Sequence, residues 1–546
     1  MKKSVKLVIV GGVAGGATAA TRARRLDENA EIILLERGEH ISFANCGLPY
    51  HISGDIPKRD QLLLRTAKDF WDRYRIEVRT GSEVTKISPA DKKIFVKSKG
   101  EESEIQYDKL ILSQGAQPML PPIPHIEKIP HSTLRTIEDM DSIMSQLKTG
   151  NVKSVAVIGA GFIGLEMAEA FRQRGLTVTV IEMFPQVMPV VDPDMAFMGQ
   201  LEFEKHGVQI LTSVKVVGFT DEKSIQLEDG RKIPADFVLF SAGVRAEIAL
   251  AKAAGLAISE TGAIIVDEYL RTSDKDIFAV GDMIETQHRI TKKKTRVPLA
   301  GPANRQGRLV AENALSSSPK KYAGVLGTAI VKIFDKSLAS TGFSAKQLRT
   351  LGYDFGESVV HLNDHAGYFP GAERLALKLF FERPSGKVLG AQAFGTNGVD
   401  KRIDVIATAI TGQMTVFDLE TLDLAYAPPF SSANDPVNFA AFQAVNMLEG
   451  KFKSVTTQEL QTMKDYVMLD LRSPAEIERY AVRSDFQIPV NNLRDRMQEL
   501  PREKKIVCLC QSGLRSYLAC RILEQNGYNN VYNLTGGYWS HSATLL

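Results

Sequence analysis

The chain has 546 residues, and its 67 basic and 64 acidic side chains leave a net charge of +3, too small at this size to mark a nucleic-acid or membrane surface. A hydrophobic fraction of 44% and a charged fraction of 24% belong to a globular protein and exclude disorder, collagen and coiled coil. Four cysteines cannot frame a disulfide scaffold of this length and suit a reducing compartment, so a cytoplasmic protein is expected, with no metal site. No apolar run reaches the about 18 residues that a spanning helix needs, and at about 150 residues per domain three or four domains are expected.

Met1, Lys2 and Lys3 imitate a signal-peptide start, but the apolar run behind them stops at Gly11-Gly12 and reads as a first strand. Gly11, Gly12, Val13, Ala14, Gly15 and Gly16 then lead into an alanine-rich helix that ends near Leu26, and a second strand, 31–35, ends on Glu36. Strand, glycine turn, helix and a terminal acid some twenty residues on form a dinucleotide fingerprint. Its glycines let backbone approach a pyrophosphate, and its acid can bind ribose hydroxyls. Val13 replaces the middle glycine of the motif. A second copy has all three: Gly159, Gly161 and Gly164 follow the strand 155–158, and Glu182 closes the strand 178–181. An acid there repels a 2′-phosphate and leans towards NADH, while Arg172 and Arg174 nearby keep NADPH open. Residues 110–118, with Ser113 and Gly115, and 240–245 each run a strand into a glycine turn, and 272–282 ends on Gly281-Asp282.

This order of motifs is similar to the flavoprotein disulfide reductases with two dinucleotide domains. The resemblance implies two tandem Rossmann-like α/β domains, an α+β dimerisation domain and a homodimer. It assigns FAD to Gly11, Gly12, Gly15, Gly16, Glu36, Arg37, Ser113, Gly115, Gly281, Asp282 and Ala300, and NADH or NADPH to Gly159, Gly161, Gly164 and Glu182. The boundaries expected are 1–118 with 242–323 for FAD, 119–241 for NAD(P)H, 324–450 for dimerisation and 455–546 for a C-terminal domain. Residues 446–457 read as the linker into that last part.

Cys46 follows the first fold, and the next cysteine is Cys508. Without a local partner it must hold oxidising equivalents as a mixed disulfide with a small thiol or as a sulfenic acid. The stretch Ser42, Phe43, Ala44, Asn45, Cys46, Gly47, Leu48, Pro49, Tyr50 most resembles the coenzyme A-disulfide reductases, whose cysteine forms a mixed disulfide with coenzyme A; related NADH oxidases and peroxidases also use one cysteine here. Thr18, Arg22 and Arg25 share one face of the first helix, and the resemblance gives coenzyme A to Thr18, Arg22, Arg25, Ser42, Phe43, Asn45 and Asn304, although Asn304 stands where some members have histidine. A solvated basic helix face is the alternative. Tyr368 and Tyr426 match tyrosines that reach the active site from the dimer partner, and a phenol can exchange a proton with a leaving thiolate; packing of the dimer interface is the alternative for each.

In the C-terminal segment Asp470 and Arg472 end one strand, and 506–510 ends another at Cys510, where a loop with Arg515 opens a helix. This resembles a single-domain α/β rhodanese with Cys510 as the sulfur carrier and 534–538 as the closing turn. Ala481-Val482-Arg483-Ser484 replaces the glycine-histidine motif usual before its middle strand. Cys508 is expected in the core and Cys520 inside a helix. The sequence therefore points to an FAD-dependent NAD(P)H reductase of coenzyme A disulfide, coenzyme A persulfide or polysulfide. An NADH oxidase or peroxidase, and a sulfur-relay or redox-sensing protein, are the alternatives.

Overall fold

The structure is a computed structural model that describes residues 4–220 and 223–542, so Met1, Lys2 and Lys3 lie outside it. Two compact units divide the chain, 1–183 with 207–327 and 184–206 with 328–546.

The first unit holds two parallel five-stranded sheets. In the first, Ile277–Ala279, Lys109–Leu112, Lys6–Val10, Glu31–Leu35 and Glu77–Arg79 lie side by side in that order, and in the second Gln209–Leu211, Thr177–Ile181, Ser154–Ile158, Phe237–Phe240 and His131–Ser132 do so. Strands such as Leu7 to Val10 and Val155 to Ile158 are buried along their whole length, as parallel strands covered on both faces must be. Small residues, Gly15, Gly16, Ala17, Ala19, Ala20 and Ala23, make up most of the buried face of the helix Ala14–Leu26, which packs closely on the helix Ala300–Leu315. Each sheet carries a small antiparallel three-stranded sheet, Ser82–Ser88 with Lys93–Ser98 and Glu101–Gln106, and Val216–Thr220 with Ser224–Leu227 and Lys232–Pro234.

The second unit contains an antiparallel sheet in the order Ala329–Ile333, Lys336–Gly342, Val388–Gly395, Arg374–Glu382 and Phe355–Asn363, covered by the helices Val399–Thr411 and Pro436–Leu448. The helix Pro193–Lys205 packs on the same sheet. Lys378 fastens it there: its fully buried ammonium lies 3.1 Å from Asp192, 3.1 Å from Asp194 and 3.2 Å from Glu357. Burial opposes that charge, but the three carboxylates outweigh it and hold the ammonium well above its usual range.

The C-terminal sheet is parallel, in the order Lys453–Val455, Val531–Leu534, Lys505–Leu509, Tyr466–Asp470 and Phe486–Gln487. Residues 446–457 are not a linker. Their first three residues finish the helix Pro436–Leu448, and Lys453–Val455 is an edge strand of the new sheet, a role too short to show a period in sequence. Cys508 is in the core, but on the same face as Cys510, because residues two apart on a strand point the same way. Cys520 meets them from the helix Leu514–Gln525, and all three are fully buried.

Candidate active site

The two glycine turns are built alike. Gly11 and Gly159 have φ of +101° and +105°, and a Cβ on either would strike the strand-end serine beside it, Ser113 or Ser241. Each acid reaches back to its own turn: Glu36 Oε2 accepts from Gly12 N at 2.8 Å, and Glu182 Oε2 from Ala160 N at 2.8 Å. A Cβ at Gly161 would meet only open space, which leaves a cradle at the start of the helix Phe162–Gln173. Gly281 N donates to the buried Gln306 Oε1 at 2.7 Å, fixing the turn that ends on Asp282. Burial pushes the Asp282 carboxyl up, while Arg135 and Arg296 pull it down. Arg135 also donates to Gln114 O at 2.7 Å, and Arg37 lies 3.9 Å from Glu247. Gly115 keeps a left-handed φ of +74°, and Ala300 begins the helix Ala300–Leu315.

Cys46 sits in the short turn Asn45–Gly47 that leads into the helix Leu48–Ser53. Two antiparallel contacts tie down the approach, Ala44 N to Leu62 O at 2.8 Å and Leu64 N to Ser42 O at 3.1 Å, and Ser42 N reaches Gly12 O at 2.8 Å. The nucleotide turn and the cysteine loop are thus joined directly through Ser42, with Phe43 bridged to Leu63. Cys46 N donates to Asn45 Oδ1 at 3.0 Å. The thiol is exposed, yet enough protein surrounds it that burial, then Glu166 and Asp282, push it up, with its own backbone N–H opposing. Tyr50 donates to Glu166 Oε1 at 3.1 Å, and Glu166, desolvated, is held at about 7. Neither residue stood out in the sequence. The available signal was spacing: Tyr50 is four residues after Cys46, and Glu166 two after Gly164.

Of the residues expected on the substrate side, Thr18 Oγ1 donates to Asn304 Oδ1 at 2.9 Å, so those two are brought together. Arg22 is not a free cation: its Nε lies 3.1 Å from Glu312 Oε1 in an ion pair that sequence spacing could not reveal. Arg25 is exposed at the end of the same helix. In the second unit Tyr368 and Tyr426 share a hydroxyl–hydroxyl hydrogen bond of 3.0 Å, and both rings are exposed.

The Cys510 sulfur accepts from Gly513 N at 3.1 Å and Ser516 N at 3.4 Å, donors of the kind that stabilise negative charge on sulfur. Arg515 is held by Glu476 through bonds of 2.8 and 2.6 Å, which pull the Glu476 carboxyl down to about 2. Tyr538 N donates to Cys510 O at 2.7 Å. A Cβ on Gly537, at φ +59°, would stand 2.5 Å from Cys510 O and 2.9 Å from Gly513 N. Gly537→Ala is therefore expected to displace the Cys510 turn, and, with Cys510 as the proposed sulfur carrier, to lower thiocyanate formation about tenfold while flavin reduction by NADH is kept. The segment 481–484 that replaces the glycine-histidine motif is irregular chain, and Tyr480 O before it accepts from Arg472 Nη1 at 2.8 Å.

Residues 5–307 match the pyridine nucleotide-disulphide oxidoreductases, 328–436 the dimerisation domain of that group and 456–543 the rhodanese-like domain. The chain is 35% identical to an NADH oxidase of Methanocaldococcus jannaschii over 82% of its length and all of that protein. It is 34% identical to a coenzyme A disulfide reductase of Staphylococcus aureus over 80% of its length and 99% of the other. Among solved structures, reduced Bacillus anthracis CoADR-RHD is 43% identical with a TM-score of 0.96, covering 99% of this chain and 98% of that one. An NAD-dependent persulfide reductase from A. fulgidus is 39% identical with a TM-score of 0.92, covering 98% and 99%. The chain belongs to the pyridine nucleotide-disulphide oxidoreductase family, whose members use FAD and NAD(P)H, and it carries a C-terminal rhodanese domain.

The residues present fit both cofactors: two glycine turns, each with its acid, and an open cradle at Gly161. Among the described residues no helix is long and apolar enough to cross a membrane, and no group of three metal-ligating side chains is found.

Proposed function

We propose that the chain is an NADH-dependent reductase of coenzyme A persulfides, and of coenzyme A disulfide, that works through Cys46 as a homodimer in the cytoplasm. The observation that carries this reading is that Cys46 is an exposed free thiol with no partner cysteine, while Cys508, Cys510 and Cys520 are all buried in the last domain. The names of the matched proteins support the substrate class, and the rhodanese domain supports a persulfide over a plain disulfide.

Bound FAD supplies the two-electron path from NADH to sulfur. The glycine turn at Gly11 to Gly16, Glu36, Arg37, Ser113, Gly115, Asp282 and Ala300 hold it, and Gly159, Gly161, Gly164 and Glu182 hold the pyridine nucleotide, with Glu182 favouring NADH. Ser42, Phe43 and Asn45 fix the backbone around Cys46. Thr18, Asn304 and Arg25 take the nucleotide end of coenzyme A, with Arg25 the cation open to its phosphates and Arg22 held by Glu312. Cys46 thiolate attacks the inner sulfur of the persulfide and expels hydrosulfide, leaving a mixed disulfide that two electrons and a proton return to thiolate and free coenzyme A. Tyr368 and Tyr426, from the partner, hold the proton that the leaving sulfur takes. Cys510 carries sulfane sulfur on the backbone donors of Gly513 and Ser516.

The test is stoichiometry. One sulfide per NADH from coenzyme A persulfide without oxygen uptake is expected. Rapid NADH-dependent oxygen or peroxide consumption with no thiol substrate would instead favour the oxidase reading that one relative's name carries.

A further inference from the structure

The segment Gly536 to Ser540 faces two ways. On one side it closes over the Cys510 turn, where Tyr538 N donates to Cys510 O at 2.7 Å and Trp539 N to Gln511 O at 3.3 Å. On the other it lies against the antiparallel sheet of the dimerisation domain. Glu357, Val359 and His361, at alternate positions of the strand Phe355–Asn363, share the face on which Glu357 meets Lys378, while Ser358 turns the other way to Ala440 O. His361 Nε2 and Ser540 Oγ lie 3.2 Å apart, and the His361 ring meets Trp539 edge to face at 5.2 Å. Arg374, on the next strand, lays its guanidinium over the Trp539 ring, 3.1 Å from its centre. The glycine pair shows the same division. A Cβ on Gly536 would stand 3.0 Å from Val359 Cγ1, and one on Gly537 2.5 Å from Cys510 O.

We propose that the dimerisation sheet is a working wall of the Cys510 site: His361 and Arg374, acting through Ser540 and Trp539, are positioning residues that hold the Cys510 turn in the geometry for sulfur transfer. The inference rests on the reading of Cys510 as the sulfur carrier.

The turn is fixed from both ends. Gly513 N and Ser516 N donate to the Cys510 sulfur from within, and the carbonyls of Cys510 and Gln511 are tied to residues 538 and 539 outside. A shift of the outer segment therefore draws the turn with it and takes the sulfur off its donors. That segment cannot place itself, because the helix Gly537–His541 has only five residues. Its position comes from what it packs on: the sheet through His361, Val359 and Arg374, and the helix Pro193–Lys205. Burial, then Arg374, holds the His361 ring down at about 3, so it is neutral near neutral pH and its contact with Ser540 is unchanged there. Trp539 is half-buried and Arg374 exposed, so the guanidinium can be removed without opening a cavity.

The test uses the full-length holoenzyme with thiosulfate and cyanide. Sulfane sulfur passes from thiosulfate to Cys510 with release of sulfite, and from Cys510 to cyanide as thiocyanate. Arg374→Ala and His361→Leu are each expected to lower kcat roughly tenfold, with less than about a twofold change in KM for thiosulfate. Each should also raise the pH midpoint of iodoacetamide alkylation, followed on the peptide containing Cys510, by roughly half a unit as the backbone donors to sulfur loosen. His361→Gln keeps a group that can bond to Ser540 and should recover most of both losses. Flavin reduction by NADH and the denaturant midpoint of the rhodanese domain are expected to stay at wild-type values in Arg374→Ala. Wild-type kcat and alkylation midpoint in Arg374→Ala, or a loss of kcat that only follows loss of the folded domain, would overturn the proposal. Thiocyanate formation that is absent in wild type or survives Cys510→Ser would instead end the reading of Cys510 as the carrier, so the two failures are told apart.

Discussion

Cys46→Ser is expected to lower NADH-dependent sulfide release from coenzyme A persulfide by about 10⁴-fold, the scale on which loss of a covalent nucleophile acts. The serine oxygen cannot form the mixed disulfide that stores the substrate sulfur. The variant should still fold and keep its flavin, because the nucleotide turn is built without Cys46: Gly12 N is held by Glu36 and Gly11 packs on Ser113. Among the described residues, the link to the loop that the change touches is the side-chain contact to Asn45. Steady-state sulfide release, read beside the flavin absorbance and its reduction by NADH, separates lost chemistry from a lost cofactor.

The second large effect falls on stability. Arg472 and Asp470 are fully buried, and Nη2 to Oδ2 at 2.7 Å with Nε to Oδ1 at 3.0 Å makes the pair bidentate. Arg472 also donates to Tyr480 O, and Arg472 N to Asp470 Oδ1 at 3.0 Å, so the pair ties the strand Tyr466–Asp470 to the chain beyond the helix Pro474–Arg479. Arg472→Met leaves a buried carboxylate without its cation and should cost the rhodanese domain about 3–5 kcal/mol. Replacing both, Asp470→Leu with Arg472→Met, should recover much of that loss, since removing both charges removes the uncompensated one. Denaturant unfolding of the full chain, followed beside flavin absorbance, is expected to show an early transition in the single variant that spares the flavin.

Much of this architecture is written in the sequence because it rests on short-range rules. The strand–glycine–helix units at 5–26 and 155–173, the acids Glu36 and Glu182, and the cysteine at the strand end Cys510 all follow from residue type and spacing, and the structure places each at its expected turn or strand end. What escaped depends on partners distant in sequence. Arg22 looks like a phosphate-binding cation until Glu312, 290 residues on, is folded against it. Glu166 looks like an ordinary helix carboxylate until the helix bearing Tyr50 packs on it. Lys453–Val455 has too few residues for a β period, and only its parallel pairing with Val531–Leu534 makes it a strand. Cys508 lies in the core, as its place in an apolar strand leads one to expect, and its two-residue spacing from Cys510 puts the two sulfurs on one face, where Cys520 joins them.

The two proposed sulfur sites, Cys46 and Cys510, differ in burial. Cys46 is exposed and lacks a second thiol, which suits the proposed reading in which the substrate brings the sulfur it bonds to. Cys510 is buried under a loop of backbone donors, which suits a carrier whose terminal sulfur is the part presented to other molecules. Glu476 holds Arg515 against that loop through two short bonds.

Intact-mass and peptide mass spectrometry of the full-length holoenzyme, before and after reduction, tests the role of Cys46 most directly. A reduction-sensitive adduct with the mass of coenzyme A on the peptide containing Cys46 is the expected result, lost on treatment with NADH. An oxygen adduct on Cys46 with no coenzyme A, or coenzyme A found only on Cys510, would contradict it.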